Sequence, residues 1–578
     1  MANRTENQIA AWLDEIESDE FDDDLSSLED EEDFIGEEWS DTESEQEQDV
    51  CNQVSDYDKE PPQRDRRGEI YLGVDNTVWT KNAPANRGRT RRHNIVFKPP
   101  GPKGIARQKT KPEDCMSLFL DDNIIGLIIK YTNIKIESIK TKYARERDAK
   151  STDEIEIKGF LGILLMAGAL KVSRSSTSQI FDNEKHTGID SIYLTMSEQR
   201  FKFLLRVIRF DDITERQDRA SIDKLAPIRE IFDLVLGNFQ RYFTPSAEMT
   251  LDEQLLSFRG RCSFRQYIPS KPAKYGLKVF ALVDVHYPYT YNLEIYAGQQ
   301  PEGPFRLSNE RFDIVMRMVQ PILNRHSNIT MDNWFSSLKI AKQLFDNGTT
   351  MVATVRKDKR EVPREFRIAR GNPICSSKFG FHSPCTLVSY VPKANKVVIA
   401  MSTMHNDTAI DSDTGDQRKP EIITYYNRTK NGVDLVDKMC SLYDVSRNSR
   451  RWPLTKFYNL VNLSALNALC IYTANSNYES VKRRDFLIDL ALSWMKPLAQ
   501  QRLTLTTLPR TLTFKIKDFL NLPQAVTHQG PTHNNYVGRC YDCGRARNKS
   551  TRKVCNACNK HICPDHSKTV CLSCFENN

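Results

Sequence analysis

The chain has no long apolar run. Its longest unbroken stretch, Gly159 to Leu170, is 12 residues. That is well short of the roughly 20 needed to span a bilayer, and it suits a buried core helix. The first residues, Met1-Ala2-Asn3-Arg4-Thr5-Glu6, run into acidic residues and not an apolar stretch, so a secretory signal is not expected. Cysteine is sparse over most of the length: seven of the 14 are scattered singly from Cys51 to Cys470, and seven crowd into the last 39 residues. A secreted disulfide scaffold does not distribute cysteine this way, whereas a protein of a reduced compartment with one metal-binding tail does. Basic residues are nearly absent from the first 60 positions, where Arg4 and Lys59 face 24 acids, a net of −22.

The 578 residues carry 82 Lys+Arg and 76 Asp+Glu, a net of +6, so the 518 residues after the acidic head carry +28. A basic body of this size implies a polyanionic partner, nucleic acid before others. At about 150 residues per domain the length allows three or four domains.

Composition divides the chain. Residues 1–60, with runs such as Asp22-Asp23-Asp24, cannot bury enough apolar surface to offset ordering and are expected to be disordered. Ser26, Ser27, Ser40 and Ser44 lie among the acids, where phosphorylation sites and plain solvated serines look alike. Residues 61–111 switch sign and contain Pro99-Pro100-Gly101-Pro102, as a basic linker or DNA-contacting arm would. Residues 112–246 show helical apolar groups around Ile124–Ile129, Phe160–Leu165, Phe201–Ile208 and Ile228–Leu234. From Met249 the texture turns to strands, at 278–283 and 289–296. A helix at 312–323, a strand at 328–331, a helix at 335–345 and a strand at 350–355 follow, which is a mixed-sheet α/β order. Residues 359–420 are loop-rich with strand-like 387–391 and 396–400, and are expected to form an insertion. Helices resume near Val433 and run on from Trp452 to Met495. A linker at 516–539 precedes the Cys-rich tail.

That tail reads Cys540-x2-Cys543-x11-Cys555-x2-Cys558-x4-Cys563-x2-His566-x4-Cys571-x2-Cys574. Four two-residue pairs supply eight N/S ligands, enough for two closed tetrahedral Zn²⁺ sites of structural type. A cross-brace joins Cys540 and Cys543 with Cys563 and His566, and Cys555 and Cys558 with Cys571 and Cys574; sequential pairing is the alternative. His561 is taken as a bystander. Arg545, Arg547, Lys549, Arg552 and Lys553 fill the long loop, as DNA-phosphate contacts or an import signal would.

Four aspartates stand out by context. Asp252 sits in the strand-like run Thr250–Leu256, and Asp332 ends the strand 328–331 before Asn333-Trp334-Phe335. Asp434 and Asp437, three apart in Gly432–Met439, share one helix face. Local explanations compete: Asp332 as a helix N-cap, Asp434 as a partner of a helix dipole.

The segments Thr250–Phe258, Phe258–Cys262, Pro269–Gly276, Met331–Ser336, Asn431–Met439 and Ser446–Pro453, together with the tail of seven Cys and one His, resemble the piggyBac family of DNA transposases. The likeness runs from about Asp114 to Phe575. It implies a multidomain α+β protein: a ribonuclease H-like core at 247–358 and 421–444, a split helical DNA-binding and dimerisation domain at 112–246 and 445–515, the insertion, and a cross-brace zinc domain at 540–575. It implies that Asp252, Asp332, Asp434 and Asp437 are catalytic and hold two Mg²⁺ (or Mn²⁺) ions. Two such ions serve phosphodiester hydrolysis and transesterification. The implied reaction excises a transposon through hairpin ends and joins it to DNA at TTAA, in a nuclear homodimer with no membrane and no small-molecule substrate. A transposase-derived DNA- or chromatin-binding protein without transposition is the alternative; a ubiquitin ligase fits poorly, since the single His stands sixth among eight ligands.

No acid interrupts the chain between Gln254 and Asp284. Arg259, Arg261, Arg265, Lys271, Lys274 and Lys278, interleaved with Phe264, Tyr267 and Tyr275, suit a phosphate-tracking surface. Arg447, Arg450, Arg451 and Trp452 form a second expected DNA contact, with Trp452 either stacking on a base or packing in the core. His286, His326 and His405 are taken as structural.

Overall fold

The computed structural model describes residues 69–84, 99–185, 187–269, 271–476, 481–523, 537–543, 547, 549–555 and 560–568. The acidic head, its serines, and Cys558, Cys571 and Cys574 lie outside these. The chain divides into two units, Met1–Ile516 and Lys517–Asn578.

In the larger unit, a hairpin of β1 (Ile70–Leu72) and β2 (Val78–Thr80) comes first. A helical stretch follows: α1 (Asp122–Ile139), α2 (Glu154–Ala169), α3 (Glu198–Val207) and α4 (Arg229–Tyr242). Asp121, Asp153 and Ser197 start α1, α2 and α3 by accepting a main-chain N–H of the first turn. The sheet begins with β3 (Glu248–Ser257), β4 (Gln266–Tyr267), β5 (Tyr275–Asp284) and β6 (Thr290–Ile295). Next come α5 (Arg311–Val319), β7 (Asn328–Met331), α6 (Leu338–Asp346) and β8 (Thr350–Thr354). Three strands, β9 (Ser377–His382), β10 (Cys385–Lys393) and β11 (Lys396–Ser402), precede the helices α7 (Glu421–Thr429), α8 (Gly432–Leu442), α9 (Trp452–Asn475) and α10 (Arg483–Arg502).

The central order is β6-β5-β3-β7-β8, with β6, β5 and β3 antiparallel and β3, β7 and β8 parallel. The parallel strand β7 is buried along its whole length, as expected for a strand covered on both faces. The strands from segment 359–420, expected as an insertion, extend this same sheet: β11 pairs β8, then β10 and β9 follow, all antiparallel. Part of the expected basic arm 61–111 is folded as well. β2 meets β9, Trp79 is fully buried, and its indole N–H donates to the Glu361 carbonyl at 2.9 Å.

The two halves of the helical region rejoin where α2 crosses α10. A Cβ on Gly159 would meet Leu498 Cδ2 at 2.5 Å, and one on Gly162 would meet Met495 Cγ at 2.8 Å and the Ala491 carbonyl at 2.9 Å. The apolar stretch found in the sequence is therefore the close helix–helix seam. Gly162→Ala should destabilise the protein by about 1–3 kcal/mol through overpacking, read as a lower denaturation midpoint; an unchanged midpoint would refute this crossing.

Candidate active site

Asp252 lies mid-strand on β3, Asp332 directly follows β7, and Asp434 sits in the first turn of α8. Because β3 and β7 are parallel neighbours, with Leu251 opposite Met331, the two strand aspartates emerge side by side. All three carboxylates line one pocket with Thr250, Thr330, Tyr426, Lys430 and Asn431.

A chain of threonines brings α8 to the strands. The Thr250 hydroxyl donates to the Thr429 carbonyl at 2.6 Å, and the Thr330 and Thr429 hydroxyls are 2.7 Å apart. The next turn begins at Gly432, where a Cβ would meet Thr250 Oγ1 at 2.8 Å. Only a residue without a side chain lets α8 approach β3 this closely.

Asp332 is not the N-cap of α6; Ser337 is, accepting from the Ile340 N–H at 3.2 Å. Asp332 Oδ1 instead accepts the Trp334 N–H at 2.7 Å, which orients its carboxylate. Asp252 Oδ1 accepts the Glu253 N–H at 2.8 Å. Asp437, one turn along α8, does not line the pocket; its Oδ1 accepts from Gln254 Nε2 at 2.6 Å.

Burial and mutual repulsion raise these acids. Asp252 is pushed up to about 8, first by burial and then by the charges of Glu253 and Asp332. Asp437 is pushed up to about 7 by burial, with Lys271 and Gln254 opposing. Asp332 and Glu253 rise for the same leading reason. Lys271 and Lys278 compensate: Lys271 Nζ donates to the Glu253 carbonyl at 3.0 Å and its charge opposes the shifts at Asp252, Asp332 and Asp437, while Lys278 is the stronger influence at Asp332 and Glu253.

Beside Asp332 stands an aromatic and cationic wall. Trp334 stacks with Phe280 at a 22° interplanar angle, with Lys278 Nζ 4.6 Å and the Arg311 guanidinium 5.3 Å from its ring centre. Trp334, Arg311, Lys430 and Gln254 were not singled out in the sequence. The motif around Asp332 contains Trp334 and offers a signal; Arg311 and Lys430 reach the site only through tertiary folding.

The two basic segments expected to touch DNA are neighbours. A Cβ on Gly260 would meet the Arg450 carbonyl at 2.5 Å, and Phe264 packs edge-on against Trp452 at 5.0 Å. Arg259, Arg261, Arg265, Lys274 and Arg450 are exposed. The Arg265 guanidinium lies 5.5 Å from the Tyr275 ring centre and donates to the Gly260 carbonyl at 2.9 Å. Arg447 and Arg451 are spent inside the protein. Arg447 donates to the Ser173 carbonyl and to Thr177 Oγ1. Arg451, only 8% exposed, donates to the carbonyls of Leu205, Arg206 and Ile208 at 2.5–3.3 Å. It caps the C-terminal end of α3, where unpaired carbonyls favour a cation.

In the smaller unit Cys540, Cys543, Cys563 and His566 present ligand atoms within 4.8 Å of one another. His566 Nδ1 is 3.6, 3.5 and 3.3 Å from the sulfurs of Cys540, Cys543 and Cys563, and the Cys543 and Cys563 sulfurs are 3.6 Å apart. A zinc tetrahedron with Zn–S near 2.3 Å and Zn–N near 2.0 Å has edges of roughly 3.5–3.8 Å, so the donor set fits the ion.

Residues 111–469 match the family described as Transposase IS4. A piggyBac transposase, solved by cryo-EM as a synaptic complex with hairpin DNA, is 35% identical, with a TM-score of 0.70 over 83% of this chain and 100% of that one. The chain belongs to the piggyBac-type transposase family. Among curated human relatives, PiggyBac transposable element-derived protein 3 is 22% identical over 386 residues, 61% of this chain and 60% of that protein. The Chimeric ERCC6-PGBD3 protein is equally similar over 33% of its length. The transposase-family chain thus spans less than two thirds of either human relative. Among its described residues no helix is long and apolar enough to cross a membrane.

The raised acids make the metal-free protein pH-sensitive. Folding holds a proton on Asp252 that the unfolded chain would release, so this group's stabilising contribution is full only below the ordinary value of 3.8 and is lost as pH rises from there to about 8. Asp252→Asn removes the charge but keeps the shape. In a chelator, the variant should melt about 2–4 °C above wild type at pH 8.5, with a clearly smaller gap at pH 5. A variant no more stable than wild type at pH 8.5 would contradict this placement.

Proposed function

We propose that this protein is a metal-dependent cut-and-paste DNA transposase with a ribonuclease H-like catalytic core, acting as a homodimer in the nucleus. The observation that carries the reading is the convergence of Asp252, Asp332 and Asp434 in one pocket, at the parallel strands of a sheet ordered β6-β5-β3-β7-β8. Three hard oxygen donors suit Mg²⁺ or Mn²⁺, and a bound cation would offset the burial that raises Asp252 and Asp332. Two bound ions would supply activation of the attacking water or 3′-hydroxyl and stabilisation of the leaving oxygen.

The protein's own groups do the rest. Asp252, Asp332 and Asp434 hold the ions, with Asp332 aimed by the Trp334 N–H. Lys271 offsets the negative pocket for an incoming phosphodiester. Lys278 and Arg311, beside Trp334, offer cations and a ring to the strand next to the cut. Arg259, Arg261, Arg265, Lys274 and Arg450 extend the basic surface, with Trp452 at its edge. Hairpin ends and a TTAA target follow from the family resemblance, and the related structure carries hairpin DNA in its own right.

The test is excision and integration of a matching transposon with Mg²⁺ or Mn²⁺. Wild type should excise, and Asp252→Asn, Asp332→Asn and Asp434→Asn should each lose about 10²–10⁴-fold, the equivalent of several kcal/mol of transition-state stabilisation. Full activity in any of the three overturns the metal assignment. A folded wild type that binds transposon ends but never excises would instead be a transposase-derived DNA-binding protein.

For the tail we propose two structural Zn²⁺ ions in a cross-brace. One is held by Cys540, Cys543, Cys563 and His566, the other by Cys555, Cys558, Cys571 and Cys574. Elemental analysis should find about two zinc ions per chain, falling to about one in Cys540→Ser. One or none in wild type would refute the eight-ligand scheme.

A further inference from the structure

Among the described residues that line the pocket of Asp252, Asp332 and Asp434, Lys430 is the one cation. It sits in the turn between α7 and α8, and its backbone is held from several sides. The Lys430 N–H donates to the Tyr426 carbonyl at 2.9 Å. Thr429, just before it, is fully buried and is tied to β3 through its carbonyl and to β7 through its hydroxyl. Gly432, two residues on, is pressed against Thr250. The root of the Lys430 side chain is therefore fixed at the pocket.

Its head is not committed. Lys430 is half-buried, and its Nζ leans on the Tyr426 ring, 5.6 Å from the centre. Among the described residues its ammonium forms no ion pair, although three carboxylates line the same pocket. Lys271 and Lys278 differ in this respect: the first donates to the Glu253 carbonyl, and the second lies over Phe280 and Trp334.

An ammonium here works against metal binding, because it repels any cation that the acids attract. A pocket built only to hold ions would be better without it. A phosphodiester reverses that balance. In phosphoryl transfer, negative charge is spread over the non-bridging oxygens of the phosphate. A positioned donor aimed at that charge stabilises the transition state more than the ground state. Lysine, a compact charge on a long stem, suits such an oxygen.

We infer that Lys430 is a further catalytic residue, which contacts a non-bridging oxygen of the phosphate being cut and takes no part in holding the ions. This rests on the metal-dependent reading above and deepens it. In the hydrolytic step, water adds to phosphorus as the bond from phosphorus to the 3′ oxygen breaks. The water gives up a proton and the 3′ oxygen takes one. Lys430 keeps its own proton and acts through its charge.

The experiment takes three readouts on the full chain. They are single-turnover cleavage of transposon-end DNA with saturating protein and Mn²⁺, Mn²⁺ binding without DNA by electron paramagnetic resonance, and the thermal midpoint. Lys430→Gln should cut about 10²–10³-fold more slowly. It should bind Mn²⁺ about twofold to fivefold more tightly and melt within about 2 °C of wild type. Lys430→Met, which keeps the stem against Tyr426, should behave the same way. Lys430→Arg keeps the charge and should cut within about tenfold of wild type, with unchanged Mn²⁺ binding. Asp434→Asn should lose both cleavage and Mn²⁺ binding. A residue that only shapes the pocket would move both readouts downward together. Cleavage by Lys430→Gln within about threefold of wild type overturns the inference. So does weaker Mn²⁺ binding in Lys430→Gln and Lys430→Met, or failure of both to fold. If wild type binds no Mn²⁺ that Asp252→Asn abolishes, the metal-dependent reading fails and the inference falls with it. If that binding stands and only the Lys430 results fail, the reading survives without the inference.

Discussion

Carboxylates held side by side in one pocket, where they resist being charged together, are the constraint on which the rest of the site depends. Two unit charges 4 Å apart repel by roughly 4 kcal/mol at the effective dielectric of a protein surface. No local segment can hold such groups together, so the backbone must be rigid from several directions. β3 is paired along both edges, with β5 and β7. Asp332 leaves a strand that is buried along its length, and the Trp334 N–H fixes its carboxylate. Asp434 arrives on a helix that the threonine chain and Gly432 press against β3. The sheet beyond β8, with the hairpin at its far edge, braces these strands and adds no acid to the pocket.

Much of this was legible from local pattern. The strands carrying Asp252 and Asp332 and the helix carrying Asp434 and Asp437 lie where periodicity put them, since each is a short apolar run bounded by turn residues. What escaped was set by distant partners. Segment 359–420 has a loop-like texture, and its membership of the main sheet is decided by β11 pairing with β8 some 50 residues away. Ile70-Tyr71-Leu72 and Val78-Trp79, apolar within a basic stretch, are the local hints that 61–111 contains folded structure. The difference between Asp434 and Asp437 was invisible on a helical wheel, because Gln254, on a distant strand, makes it. The same limit applied to arginine. Arg450 and Arg451 are adjacent and alike in sequence, but one is exposed and the other is locked onto the carbonyls at the end of α3.

That split bears on how the protein meets a polyanion. Arg451 commits its guanidinium to three carbonyls and Arg447 turns toward Ser173 and Thr177, so both hold the loop between them in place and Arg450 is the one that faces outward. The loop's shape matters because Gly260 passes against the Arg450 carbonyl, which makes one continuous surface of two basic segments almost 200 residues apart in the chain. Lys271 marks where that surface reaches the acids, since its charge opposes the shifts at three of them. A bare acidic pocket would repel a phosphodiester. Lys271, whose ammonium donates to the Glu253 carbonyl, and Lys278 and Arg311 against Trp334 place positive charge within a few residues of Asp252 and Asp332. On the proposed function, a polyanion following the basic surface would therefore meet the carboxylates only where cations, side-chain or bound, stand between them.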